Sequence, residues 1–404
     1  MLLTSPLSSP LKNPVRDVFS PAGSSQSLTA KVQALFAGGK VGGMWDYGDI
    51  ATLFQDTAGV TPVTAVTQPI GRVNDKSGLG NHALQATSGA RPTYSARKNL
   101  LTKTEDFADA AWTTTVAGST ITPSVSDPLG GTTAFTITAT APNGQAYQNL
   151  PGATATRIAS GWIRRRTGSG TILFFNDSGA FGQDITSVVT SSWAPFSVTS
   201  SLSAGSWYIL LSTSGDAVDV WQPQVETGTT ATTYQRVNTS SDYDTVGFPA
   251  FAQFDATDDA LLFPAITFGG AFNTFVSGKV TGGTQGVHLW RTADVNGTWA
   301  KYKSGDATTP TGTGSGSPTY AVNGTALSPS QQGQLYTQIN GVDCVVESIG
   351  VVLTAETALQ FSGFAGSLFT GNSHRVLMIS GTLTAGEKLL CRQWCAEGNG
   401  VTVV

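Results

Sequence analysis

The sequence predicts an all-β protein, and three observations predict it. Short segments of alternating or continuous apolar side chains recur about every ten to twenty residues, with Gly, Ser and Pro between them. Glycine is abundant, at 47 of 404 residues, while the Glu-, Lys- and Leu-rich runs that build long helices are almost absent. Only 12% of residues are charged, about half the usual share, so the surface is made largely of Ser, Thr, Asn, Gln and Gly. Such a surface carries little charge repulsion and suits close packing against neighbouring chains.

Taken in order, the first 26 residues are punctuated by Pro6, Pro10, Pro14 and Pro21, which exclude helix and favour extended geometry. Leu2, Leu3, Leu7, Leu11, Val15, Val18 and Phe19 make this arm too apolar for a plain linker. It reads either as a docking arm that lies on a partner or as a strap across its own domain. Ser27 then caps a short helix whose apolar face is Leu28, Val32, Leu35 and Phe36, stopped at Gly38 and Gly39. The arm and helix together take residues 1–41. From Gly42 to Tyr94 the pattern is turns and short strands, with Asp75 to Gly78 and Gly80-Asn81 as tight turns.

Residues 99–237 have a different texture. Strand candidates fall at 134–140, 159–165, 171–176, 196–202, 206–213 and 216–226, a spacing that predicts one β-sandwich. Trp207 and Tyr208 are adjacent, so alternation sends one of them out of its strand. Short strands resume from Asn238, among them "FAQFDA", "GVHLWRT", "TWAKYKS" and "QLYTQING", and residues 304–318 read as an exposed Gly/Ser/Thr/Pro loop. The last element is helical. Thr384 and Glu387 form a capping box, Leu390, Cys391, Trp394 and Cys395 form the buried stripe, and Gly398 ends it. No heptad array is present, so a coiled coil does not hold any oligomer.

Composition also excludes functions. Net charge is −4, and Arg164-Arg165-Arg166, the one basic cluster, is too short for duplex nucleic acid and reads as a solvated strand end. Cys344, Cys391 and Cys395 are read as buried free thiols, with neither a disulfide framework nor a zinc site. No secretion leader and no apolar run of membrane-spanning length stands out, so assembly in the cytoplasm is expected. Asn296-Gly297-Thr298 and Asn323-Gly324-Thr325 are then Gly-containing turns.

"MWDYGDIATLFQDTAGVTPVT", "VNDKSGLGNHALQATSGARPTY", "FDATDDALLF" and the closing "SGTLTAGEKLLCRQWCAEGNGV" together resemble a concanavalin-A-like or laminin-G-like lectin domain, in the version common in tailed-bacteriophage virion proteins. In that family the "RPTY"-type exit usually runs almost directly into an "FDG-DD-L" strand, the counterpart of "FDATDDALLF" here. Here residues 99–237 intervene, and their ends, "NLLTKTEDFADAAWT" and "WQPQVETGTTATTYQRV", resemble a carbohydrate-binding-module-like jelly roll. The resemblance therefore implies a lectin-like sandwich, 42–98 plus 238–404, with a jelly roll inserted into one of its loops. It also implies a homo-oligomer, a trimer as in phage appendages.

Catalysis finds no support in the residue pattern. Glycoside hydrolysis needs two carboxylates facing across a cleft, and no alternating acid triplet occurs on a strand. Asp255, Asp258 and Asp259 are the densest acids and read as a structural turn, with a calcium ligand set as the alternative. His82, His288 and His374 accompany no Gly-x-Ser-x-Gly, and no phosphate loop or dinucleotide fingerprint appears. Neither a cofactor nor a metal is expected. Glycan binding is the sharper reading, with Trp290, Arg291, Trp299 and Tyr302 as candidates because they lie on two neighbouring strands flanking a turn; the plainer reading is that they pack in a core. The expected function is a non-enzymatic virion structural protein, a tail fibre or appendage contacting host-surface polysaccharide and joined to other virion proteins by its arm. A capsid decoration (cement or head-fibre) protein and a polysaccharide depolymerase are the alternatives. No nucleic acid or membrane partner is expected.

Overall fold

The computed structural model describes residues 26–113, 118–150, 155–176, 182–202, 205–282, 287–292, 299–313, 318–328, 330–353, 358–361 and 369–404. Residues 1–25 of the arm lie outside them, and so does the Asn296 turn. Among the described residues the regular structure is β apart from three short helices and two single 3-10 turns, with turns and irregular segments between the strands. Its strands form four antiparallel sheets, and none of the four mixes strands of 99–237 with strands outside that range.

The strand before the insert finds its partner after it. Thr93–Ser95 pairs antiparallel with Phe251–Asp255, Tyr94 opposite Ala252 and Thr93 opposite Gln253. The intervening chain leaves and returns at one place. The backbone N–H groups of Lys98 and Asn99 donate to the side-chain carbonyl of Gln235 at 2.7 and 3.1 Å. The Asn99 amide donates back to the Gln235 carbonyl at 3.0 Å, and Thr104 N–H donates to Val237 O at 3.0 Å. Ends held this close keep the entropy of the interruption small.

The outer sandwich packs two sheets over a core that includes Trp45, Tyr47, Phe254, Phe272, Trp290 and Tyr302. One sheet is centred on Ala271–Val280, Thr370–Ser380 and Asp343–Val352. Its far face is covered by α1 (Leu28–Ala37) and α3 (Ala385–Glu397), which bury Val32, Phe36, Cys391 and Trp394 against Phe275 and Leu377. A sheet covered on both faces shields side chains that point either way, which is why Ala271–Val280 is buried almost throughout although it carries Asn273, Thr274 and Ser277. Ser27 caps α1 by accepting from Ala30 N–H, and the Thr384–Glu387 capping box forms at α3. The three cysteines are buried and free.

The insert is a second two-layer sandwich. A five-stranded sheet, in the order Ala194–Leu202, Ala155–Thr167, Ala217–Thr227, Ala134–Ala139, Ser119–Val125, faces a four-stranded one built on Ile172–Asn176, Ser206–Leu211 and Gly144–Asn149. Phe107, Trp112, Phe135, Phe174 and Trp207 fill the space between them.

Four local expectations are corrected. "QLYTQING" is not a strand but α2 (Gln332–Ile339), which buries Leu335 and Ile339 one helical turn apart. Trp207 and Tyr208 are both buried, because the Tyr208 face is covered too and its hydroxyl accepts from Gly182 N–H at 2.7 Å. The Arg164–Arg166 run is a solvated strand end only in part: Arg166 is exposed where the strand ends, but each of the three side chains is paired with a buried aspartate. The 304–318 loop is partly built in: Thr311 is fully buried and Gly312–Thr313 extends a sheet.

Candidate functional site

The strand Ala155–Thr167 sends Ala159 and Ile163 into the insert's core. Alternation then places Ser160, Trp162, Arg164 and Arg166 on the outer face. Its neighbours continue that face in register. Pro195 stands opposite Trp162 and Ser197 opposite Ser160 on one side, and Trp221 opposite Trp162 and Asp219 opposite Arg164 on the other. Three rows result: a polar row at Ser160, a ring row at Trp162 and a charged row at Arg164.

The face is hollowed by a bulge. Register shifts between Trp221 and Gln224, where Gln222 has a left-handed φ of 51° followed by Pro223. Gly161 lies beneath, and a Cβ there would come within 3.1 Å of Gln222 O, so glycine lets the bulge settle. The resulting depression, about 400 Å³, is lined by Ser160, Trp162, Ser197, Gln222, Thr232 and Tyr234 among others. No carboxylate lines it. Trp162 is half-buried, so part of its ring meets solvent. One rim is held by Glu226, whose buried carboxylate accepts from Thr232 N–H at 2.8 Å, Thr232 Oγ1 at 2.6 Å and the Gln224 amide at 3.0 Å.

The charged row is built around Asp219, which is fully buried. It accepts from Arg164 Nε at 2.7 Å, from an Arg166 terminal nitrogen at 3.1 Å and from the Thr136 hydroxyl. The Arg164 guanidinium lies 4.8 Å from the centre of the Trp193 ring, a cation–π distance. Two cations thus share one anion.

The four residues predicted for glycan contact are not on this face. Trp290 is 1% exposed, with its ring 5.7 Å from Phe272 and its Nε1 donating to Ser348 Oγ at 3.3 Å. Tyr302 is fully buried near Tyr336, and burial pushes its hydroxyl far above the usual tyrosine range. Arg291 is buried and donates to Thr292 O at 2.7 Å. The Trp299 backbone pairs with Arg291 and Thr313, and its side chain lies outside the described residues. Trp290 and Tyr302 face inward, so neither offers a ring to a sugar. The sequence did carry a signal for the other face: in "ASGWIRRR", Ala159 and Ile163 mark the core side, leaving Trp162 on the opposite one.

The acid cluster makes a turn. Asp255, Asp258 and Asp259 bring their carboxylates within 4.8 Å of one another. Asp259 accepts from Asp255 N–H at 2.9 Å, and Asp255 accepts from Thr257 N–H at 2.7 Å. Burial first, then the neighbouring Asp255 and Asp258 charges, pushes the Asp259 carboxyl up to about 7. His82 likewise serves its turn, its Nδ1 accepting from Asp75 N–H at 3.1 Å.

A second concavity, about 310 Å³, lies where the two sandwiches meet. There Asp343 pairs with Lys279 at 3.2 Å, Lys98 at 3.8 Å and His374 Nε2 at 3.7 Å. Lys279 also donates to Thr227 O at 2.9 Å, across the junction. Despite its burial, Asp343 is held well below the usual carboxylate range by His374 and the two lysines. These groups satisfy one another and tie the sandwiches together.

No known family model and no curated protein matches this sequence. Among solved structures, the chain is similar to the CBM22-1 xylan-binding domain from Paenibacillus barcinonensis, with 13% identity and a TM-score of 0.25, over 32% of this chain and 92% of that one. The tandem CBM22-1-CBM22-2 domain from the same organism gives 11% identity and a TM-score of 0.26, over 71% and 100%. The enzymatically active domain of tailspike protein 4 from bacteriophage CBA120 gives 13% identity and a TM-score of 0.23, over 33% of this chain and 22% of that one.

Proposed function

We propose that this chain is a non-enzymatic structural protein of a tailed-phage virion, a tail fibre or similar appendage, and that the outer face of its inserted sandwich touches host-surface glycans. The observation that carries the glycan reading is Trp162: a part-exposed ring in a polar depression lined by no carboxylate. The apolar C–H face of a sugar stacks on such a ring while Ser160, Ser197, Gln222 and Thr232 exchange hydrogen bonds with its hydroxyls. Hydrolysis needs a facing acid pair, which this lining does not supply. The virion setting is supported by the sequence motifs of the lectin-like sandwich and by the apolar, proline-fixed arm, which suits docking to other virion proteins. A homo-oligomer, a trimer by the same resemblance, repeats the shallow site.

A site with one stacking ring binds at roughly millimolar affinity. Several copies on one particle raise the effective affinity by about 10²–10⁴. The test compares adsorption of particles carrying Trp162→Ala with wild type, alongside reducing-end release from host capsule and lipopolysaccharide. Lost adsorption with an unchanged virion and no reducing ends fits the proposal. Normal adsorption removes the glycan site, and cleavage removes the non-enzymatic reading. Antibody labelling at capsid-wide density, not on an appendage, would make this a decoration protein.

A further inference from the structure

We infer that the glycan read by this face is acidic, and that Arg166, positioned together with Arg164, binds its anionic group. The inference rests on the glycan reading of the Trp162 depression and names the ligand class for it.

Asp219 organises the charge on this face. A fully buried aspartate on a sheet face is not needed for stability, since a well-packed apolar residue there would serve as well or better. One arginine would also suffice to neutralise it. Instead Arg164 and Arg166 both bind it, with Thr136 as a third donor. Asp219 therefore works as a bracket that holds two guanidinium groups on the outer face and leaves one positive charge in excess. The third arginine, Arg165, is accounted for separately by Asp216 at 3.5 Å. Asp127, linked to this face through Thr133 and the Trp221 Nε1, keeps its negative charge in its own turn, where it accepts from Leu129, Gly131 and Thr133, and the arginines of this row pair with Asp219 and Asp216 instead.

Position makes the excess charge useful. On a strand, alternate residues on one face are about 6–7 Å apart, so the backbone positions of Arg164 and Arg166 stand about 7 and about 13 Å from that of Trp162. Both guanidinium groups reach back to the same Asp219 carboxylate, which gathers the positive charge beside the ring row, within reach of a sugar unit next to one stacked on Trp162. The Arg166 side chain is 49% exposed and Arg164 29% exposed, so both remain reachable after binding Asp219. A planar guanidinium fork held in place matches a carboxylate or a phosphate oxygen pair. Both are anions on a sugar, and the test separates them.

The full-length protein is applied to an array of capsule and lipopolysaccharide oligosaccharides in four sets: uronate-bearing, the same uronates as methyl esters, phosphate-bearing, and neutral. The expected result is preferential binding to anionic sets, weakened by salt. Arg166→Gln should lose about tenfold on anionic ligands only, with partial rescue by Arg166→Lys, and Trp162→Ala should lose binding to every set. Stronger binding to uronates than to phosphates, or the reverse, identifies the anion. Methyl esters bound as well as free acids with phosphates no better, or neutral ligands bound best, overturn the inference and leave the Trp162 site standing. Unchanged anionic binding by a folded Arg166→Gln does the same. No binding to any set overturns the glycan reading and this inference with it.

Discussion

The strand pair Val287–Thr292 and Trp299–Tyr302 in the outer sandwich and the pair Ala155–Thr167 and Ala217–Thr227 in the insert use similar residues. Each places tryptophan and arginine on neighbouring strands. In the first, Trp290 and Tyr302 are sealed between two sheets; in the second, Trp162 keeps part of its ring in solvent beside two reachable arginines. The difference lies in what covers the face. Ring-bearing strands leave a ring accessible only where no second layer covers it, and on the Trp162 face the bulge at Gln222 also hollows the backbone.

The comparison breaks most easily at Trp290. Trp290→Ala should cost about 3–5 kcal/mol of stability and leave glycan binding per folded molecule unchanged. A stable Trp290→Ala protein that no longer binds would return the site to the outer sandwich. Asp343→Asn asks whether the two sandwiches behave as one unit. Because Asp343 is held below its ordinary range, its contribution is fully present above about pH 4 and is lost as pH falls below that. The substitution should therefore cost about 1–3 kcal/mol at pH 7, nothing at low pH, and separate one calorimetric transition into two. Equal destabilisation at pH 3 and pH 7 would contradict the ion-pair account.

Trp162→Ala is the converse of Trp290→Ala. It should lower glycan affinity about tenfold, which is 1.4 kcal/mol, and change stability by about 1 kcal/mol or less. A large fall in melting temperature with intact binding would make Trp162 a core residue. The smallest effect belongs to Asp259, where three acids crowd together, whereas Asp219 is bracketed by two arginines. Its folded pKa of about 7 stands above the unfolded value near 4, so the folded state binds more protons and stability falls as pH rises from about 4 to 7. Asp259→Asn should raise the melting temperature by about 2–4 °C at pH 8 and leave it unchanged at pH 4. A gain at both pH values would point to packing, not charge.

Much of the fold was legible in the chain. The Ser27 cap, the Thr384–Glu387 box and the strands at 134–140, 206–213 and 216–226 are written in neighbouring residues and emerge close to where alternation puts them. "QLYTQING" misled because a short apolar pattern fits either period, and α2 was settled by packing of Leu335 and Ile339. The site was less legible. Trp290, Arg291 and Tyr302 look as available in sequence as Trp162 does, and the Arg164–Arg166 run gives no hint of the buried Asp219 that organises it.

The all-β class, the helix caps and the turn chemistry at Asp75 follow from the chain alone, because each depends on side chains a few residues apart. Tertiary structure decided which face of each sheet is covered, that Trp207 and Tyr208 are both buried, and that Asp219 binds two arginines of another strand. Those outcomes depend on layers stacked from distant parts of the chain. Alternation says only that two side chains point opposite ways, and burial depends on what then packs against each.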